Sequence, residues 1–193
     1  MRVTREKAAA HRAAIVKAAA DLFRARGLDG VGVAEIMQAA GLTHGGFYGH
    51  FKSKDALAAE ACRAAFDEGL ARVAQDHDLA AYVTNYFTTT HRDRRDGGCP
   101  MVSLGSEISH QEIEVQEKFA EGVAAYLAGI EKLLSRTGEG KNPVQIRSQA
   151  IGIVAALVGG MILARATAEA RPDLSAEILD TLPASLARKV AGK

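Results

Sequence analysis

The chain has no tryptophan, two cysteines and four prolines, and aromatic residues make up only 5% of it. Cys62 and Cys99 allow one disulfide at most, so a disulfide-stapled secreted fold is excluded. No charged-then-apolar leader with a cleavage site precedes the first amphipathic segment, and a reducing cytoplasm is the expected location. The cysteines and His77, His91 and His110 show no paired spacing, so neither a metal site nor a cofactor is expected. There is no glycine-rich phosphate loop, nucleophile elbow or paired-histidine zinc motif, and the acids are scattered, which leaves an enzyme without support.

Period-two alternation is also missing, while alanine is abundant, so the expected class is all-α. The longest apolar run, Ala150 to Ala164, falls between Arg147 and Arg165 and is shorter than the ~20 residues of a usual membrane span. A buried helix of a protein with no membrane partner is expected there. The net charge of +1 conceals an asymmetry. Residues 1–54 carry nine Lys/Arg against four Asp/Glu, and residues 55–193 carry fifteen against nineteen. A basic N-terminal part on an acidic remainder concentrates attraction for a polyanion in one place.

The apolar spacing predicts a first helix from about Glu6 to Arg26, with Ile15, Ala18, Ala19, Leu22 and Phe23 on one stripe and Gly27 ending it. A short second helix carries Val33, Ile36, Met37 and Ala40, and Gly41 supplies a positive φ for the tight turn that follows. A third runs from Thr43 to His50, with Thr43 as N-cap and Phe47 and Phe51 facing inward. From Ser53 a long helix extends to about Gln75. Further helices are expected over Leu79 to His91, Pro100 to His110, Glu112 to Ser135, Pro143 to Ala170 and Ser175 to Val190. A glycine-rich break is expected over 138–143, and Pro183 should kink or split the last helix.

Ala40-Gly41-Leu42-Thr43 is followed by His44-Gly45-Gly46-Phe47-Tyr48-Gly49-His50-Phe51-Lys52-Ser53-Lys54. In this order and register the segment from Ile15 to Leu57 resembles the tetracycline-repressor (TetR) family; beyond it, the likeness lies in helix order and length. The resemblance implies a helix-turn-helix DNA-binding domain over 1–54 and a helical ligand-binding and dimerisation domain over 55–193. It implies a homodimeric regulator bound to double-stranded operator DNA, a repressor released by a small-molecule effector or by thiol modification.

A helix in the major groove, roughly 12 Å wide, presents its first residues to base edges. Gly45 and Gly46 permit close approach, and Thr43 places a hydroxyl and free N–H groups where a phosphate would sit. His44 and Tyr48 are the expected base readers, and Tyr48, His50, Lys52 and Lys54 the expected phosphate contacts. In two places the chain departs from the family pattern. Gly32 weakens the N-cap of the second helix, and Gly49 loosens the end of the third where a larger residue would make another contact.

In the C-terminal part, the Ala150 to Ala164 segment has two apolar faces. One carries Ile151, Val154, Ala155, Val158 and Ile162; the other carries Ile153, Leu157, Gly160, Met161 and Ala164. The second, rich in small residues, is the expected dimer interface, with a central core helix as the alternative. Tyr82, Tyr86, Phe87 and Met101, with Leu104, Phe119, Val123 and Tyr126, fall on helices that surround a ligand pocket in the family, and they would also serve as plain core. Cys99 follows Arg94 and Arg95 and precedes Pro100, which starts a helix, so it reads either as a redox or electrophile switch or as a packed thiol. Cys62 reads as a small buried residue. A helical adaptor that binds protein is the rival to a DNA-binding regulator, and the basic N-terminal part argues against it.

Overall fold

A computed structural model describes residues 4–137 and 142–190, and among these there is no strand. Helix α1 (Arg5–Arg26) starts where the Thr4 hydroxyl accepts from Lys7 N–H at 3.3 Å. It stops at Gly27, whose φ of +82° is the left-handed turn that glycine adopts without steric cost. Helix α2 (Val33–Ala39) begins at Gly32 with no side-chain cap, as its glycine implied. Gly41, at φ +71°, turns the chain into the next element. Helix α3 (Lys54–Gln75) is capped by Ser53, whose Oγ accepts from Ala56 N–H at 3.0 Å.

These elements form a head with its own core. Ile15, Phe23, Ile36, Met37, Phe47 and Leu57 bury their apolar surface there. Arg24 fastens α1 to α3: its buried guanidinium donates to Glu68 at 2.8 Å and Asp21 at 2.9 Å. The head core also takes Leu104, Ile108 and Val115 from further along the chain, and on α3 it reaches Ala65. The head is therefore packed into the body and does not end sharply at residue 54.

The body contains α4 (Leu79–Tyr86), α5 (Thr89–Asp93), α6 (Pro100–Leu104), α7 (Ile113–Thr137), α8 (Pro143–Thr167) and α9 (Pro172–Val190). Helices α3 and α7 approach closely because of Gly122; a Cβ there would lie 2.2 Å from the Phe66 ring. Phe66 in turn meets Phe119 edge-on at 5.1 Å.

Several boundaries differ from the sequence reading. The helix expected over Leu79 to His91 divides into α4 and α5, because the Thr88 hydroxyl accepts from His91 N–H at 3.1 Å and starts a new helix. The helix expected to reach His110 stops at Leu104, where Gly105 and Ser106 propagate it poorly, and a short 3-10 turn covers Ile108–His110. Helix α9 runs unbroken through Pro183. Of the expected break at 138–143, residues 138–141 lie outside the described residues; Asn142 then caps α8 in a reciprocal box with Gln145.

Candidate nucleic-acid interface and ligand cavity

The segment expected to read DNA is a 3-10 helix, His44–Gly49, and not the α-helix expected over Thr43 to His50. Three of its six residues are glycine, each less favourable than alanine in an α-helix by about 1 kcal/mol. Thr43 stands at the N-cap but its side chain makes no capping hydrogen bond, a second correction. The segment is held by one aromatic anchor. Phe47 is fully buried, stacked on Phe51 at 5.8 Å, and Arg12 lies over the Phe51 ring at 4.6 Å.

Around that anchor the polar face is open. Thr43, His44, Gly45, Gly46, Gly49 and Lys52 are exposed, and Tyr48 is 72% exposed. Its ring touches Phe47 edge-on at 5.2 Å, and the rest of it stands in water. His50 and Lys54 are half-buried. The Lys54 ammonium stands 6.0 Å from the Phe23 ring centroid at the first turn of α3. His50 meets His11 of α1 edge-on at 6.2 Å, which brings a residue the sequence reading missed to the same surface. Its only signal in the sequence was membership of the basic N-terminal part.

A second feature is a cavity of about 220 Å³ between α3, α4, α5, α7 and the start of α6. Three tyrosines, Tyr82, Tyr86 and Tyr126, form its buried wall. Burial pushes all three phenols well above the usual range, so they act as neutral O–H donors. The Tyr82 and Tyr126 hydroxyls bond each other. His91 closes another side. Its Nδ1 lies 2.7 Å from the Tyr86 carbonyl, and its Nε2 accepts from Cys99 N–H at 3.2 Å, which assigns the neutral tautomer with the proton on Nδ1. Burial pushes its pKa down to about 4.

Of the residues expected around a pocket, Tyr82, Tyr86 and Tyr126 line this one, together with Cys99. Phe87, Met101, Leu104, Phe119 and Val123 do not, Phe87 being buried in the body core. Leu104 points into the head core, Met101 is buried in the body core, Phe119 packs on Phe66, and Val123 packs against the body core. Sequence periodicity could not separate a helix face on a cavity from one on a core. Arg72, Asp76 and Arg94 also line the cavity and were missed, because charged residues on helices read as solvated surface. Cys99 is buried and N-caps the five-residue α6, while Arg94 and Arg95 are exposed. Cys62 is buried in the head core, which raises its thiol pKa to about 12.

The expected dimer face is corrected outright. Ile153, Leu157, Gly160, Met161 and Ala164 are buried within the single chain. A Cβ on Gly160 would meet Leu182 at 2.2 Å and Phe87 at 2.9 Å. The opposite stripe is the one left open: Ile151 is 50% exposed, Ile162 44% and Leu163 57%, with Ala155 exposed and free space above Gly152 and Gly159. The faces do not divide quite as expected: Val154, read as part of this stripe, is buried, Val158 packs against the body core, and Leu163 joins the exposed residues. By length and composition alone α8 could cross a membrane, but its Ala150, Leu157 and Ala164 face is core.

A family model described as bacterial regulatory proteins, tetR family, matches residues 15–61, and one described as tetracyclin repressor-like, C-terminal domain, matches residues 69–177. No curated protein matches. Among solved structures, a TetR transcriptional regulator from Chloroflexus aurantiacus J-10-FL is 26% identical with a TM-score of 0.73, each chain covering 96% of the other. The reduced form of NemR from E. coli is 20% identical with a TM-score of 0.73, over 91% of this chain and 94% of that one. FadR from Bacillus subtilis, in complex with stearoyl-CoA, is 17% identical with a TM-score of 0.61, over 88% of this chain and 96% of that one. The chain belongs to the TetR family of bacterial transcriptional regulators.

Proposed function

We propose that the protein is a homodimeric repressor that holds operator DNA through two recognition segments and releases it when a small molecule occupies the tyrosine-walled cavity. The observation that carries the DNA half is the exposed His44–Gly49 face on a buried Phe47 anchor, flanked by Lys52 and Lys54. Glycines at 45 and 46 let backbone approach a groove, and Tyr48 and His44 stand free to reach base edges.

Dimerisation is assigned to the open stripe of α8, centred on Ile151, Ala155, Ile162 and Leu163. Small residues between these let two copies of α8 approach closely, and a two-fold pair places reading heads on successive groove turns, roughly 34 Å apart. DNA and protein would meet in the cytoplasm.

The link from cavity to head runs through α6. Cys99 and Pro100 line the cavity, Leu104 at the other end of the same helix sits in the head core, and Glu107 grips the head at Leu28. A ligand that displaces the start of α6 therefore has a packed route to the head. Cys99 supplies a second trigger by its position in the cavity wall, since bulk added to its sulfur would act on the same helix.

The test is selection of bound sequences from a random DNA pool, followed by release assays with candidate effectors. Enrichment of a two-fold symmetric site and its loss with ligand are expected. A chain that enriches no sequence would overturn the DNA reading.

A further inference from the structure

The Tyr86 hydroxyl is a buried donor without a hydrogen bond of ordinary geometry, and it borders the cavity. Tyr86 is only 5% exposed. Burial raises its pKa, as does the Cys99 thiol beside it, which is a weak acceptor, whereas the neighbouring Tyr82 and Tyr126 hydroxyls bond each other, one donating and one accepting. An unsatisfied buried hydroxyl is costly, and the cavity is where its missing acceptor would fit.

The other end of the cavity has opposite needs. Arg72 and Arg94 line it and are exposed, which places them at its mouth. Arg94 has only a long contact to Asp96, 3.7 Å. Arg72 has no ion pair among the described residues. Asp76, the one carboxylate in the lining, already accepts from Asn85 at 2.8 Å. Deeper, the partly buried Arg165 guanidinium donates to the Arg92 and His91 carbonyls and to Ser103, all neutral groups, so its charge adds positive potential at Tyr86 and Cys99. Between the two ends the walls are aromatic.

We propose that the cavity binds a small single-ring aryl carboxylate bearing an acceptor oxygen at the far end of the ring. The carboxylate meets Arg72 and Arg94 at the mouth, the ring lies between Tyr82, Tyr126 and His91, and the distal oxygen accepts from Tyr86 Oη–H. A carboxylate placed inside would be desolvated beside neutral phenols and an Arg165 whose N–H groups are already used, so the reverse orientation is disfavoured. The volume of about 220 Å³ is below the roughly 300–1,000 Å³ of sites for drug-sized molecules, which restricts the ligand to one ring. This assignment rests on the cavity being the effector site, and it names the effector's chemistry.

Calorimetric titration of the full chain without DNA tests it with three compounds: 4-acetylbenzoate, 4-isopropylbenzoate lacking the acceptor, and 4-methylacetophenone lacking the charge. The first should bind more tightly than either other, by about three- to ten-fold. Tyr86→Phe should erase the preference over 4-isopropylbenzoate. Arg72→Gln with Arg94→Gln should erase the preference over 4-methylacetophenone. Without ligand, Tyr86→Phe should melt no lower than the natural chain, since it removes an unsatisfied hydroxyl. Equal or absent binding of the three compounds, preferences that persist in the variants, or a lower melting temperature for Tyr86→Phe would overturn the assignment. Operator binding is measured separately. Preferences as expected with unchanged operator affinity support the site and refute the effector role; release by other compounds with no binding of these three refutes the ligand class alone.

Discussion

The Glu107 carboxylate accepts a hydrogen bond from the Leu28 backbone N–H at 2.8 Å, across a separation of 79 residues. The same carboxylate covers Gly27, where a Cβ would lie 2.6 Å from its oxygen, so the positive-φ turn ending α1 and the segment after α6 are built against each other. Glu107→Ala leaves a partly buried N–H unsatisfied and should cost about 1–3 kcal/mol in urea unfolding. Glu107→Gln, which keeps an acceptor, should recover most of it. If the contact also transmits the ligand signal, Glu107→Ala should bind ligand normally but release operator less; full release would remove Glu107 from the route.

Lys54 stands at the first turn of α3 beside the recognition segment. If each subunit uses it to neutralise one phosphate, Lys54→Ala should weaken binding to every DNA sequence. The slope of log K against log salt should flatten by about 0.9 per lost contact, about 1.8 per dimer. An unchanged slope would return Lys54 to a packing role over Phe23.

The sequence made the helical class and the position of the head legible, because glycines at 27 and 41 and the spacing of Ile15, Ala19 and Phe23 act locally. The exposure of Thr43, His44, Tyr48 and Lys52 was legible too, since it follows from a short motif anchored by Phe47. What failed was non-local. Both sides of α8 are apolar, and which is core is decided by the elements packed on it, as by Leu182 and Phe87 against Gly160. The cavity was half visible for the same reason: tyrosines at helical spacing are seen, but Arg72 and Asp76 join them only where the end of α3 meets α4, at the Asn85–Asp76 hydrogen bond.

Gly49 has open space where a Cβ would stand. Gly49→Ala should raise stability by up to about 1 kcal/mol by restricting the unfolded chain and favouring a helical end to the segment. A better-formed recognition segment should tighten operator binding a few-fold. Higher stability with weaker binding would instead place Gly49 against the DNA backbone.

His91 gives the fold a pH dependence of known sign. Its folded pKa of about 4 lies below its ordinary value of 6.5, so between these values the unfolded chain binds a proton that the folded chain does not. Its contribution is fully present above pH 6.5 and is lost as the pH falls towards 4, by at most about 1.4 kcal/mol per pH unit. Urea unfolding at pH 7 and pH 5, with the His91 ring followed by NMR, measures this. A ring that titrates near 6.5 would show that burial does not hold it neutral.

The two faces of α8 predict opposite failures for the same charge. Ile162→Glu adds a carboxylate to the open stripe, where the monomer has room for it, so each chain should keep its helical spectrum and stability. Two such charges facing across a two-fold interface repel and lose solvent, and sedimentation should show monomers with poor operator affinity. Gly160→Glu must instead push Leu182 and Phe87 aside, since even a Cβ overlaps both. It should unfold the body or leave it insoluble, a loss of structure rather than of association. A stable Ile162→Glu dimer would move the interface off this stripe, and a well-folded Gly160→Glu monomer would return it to the face that the packing of α4 and α9 now excludes.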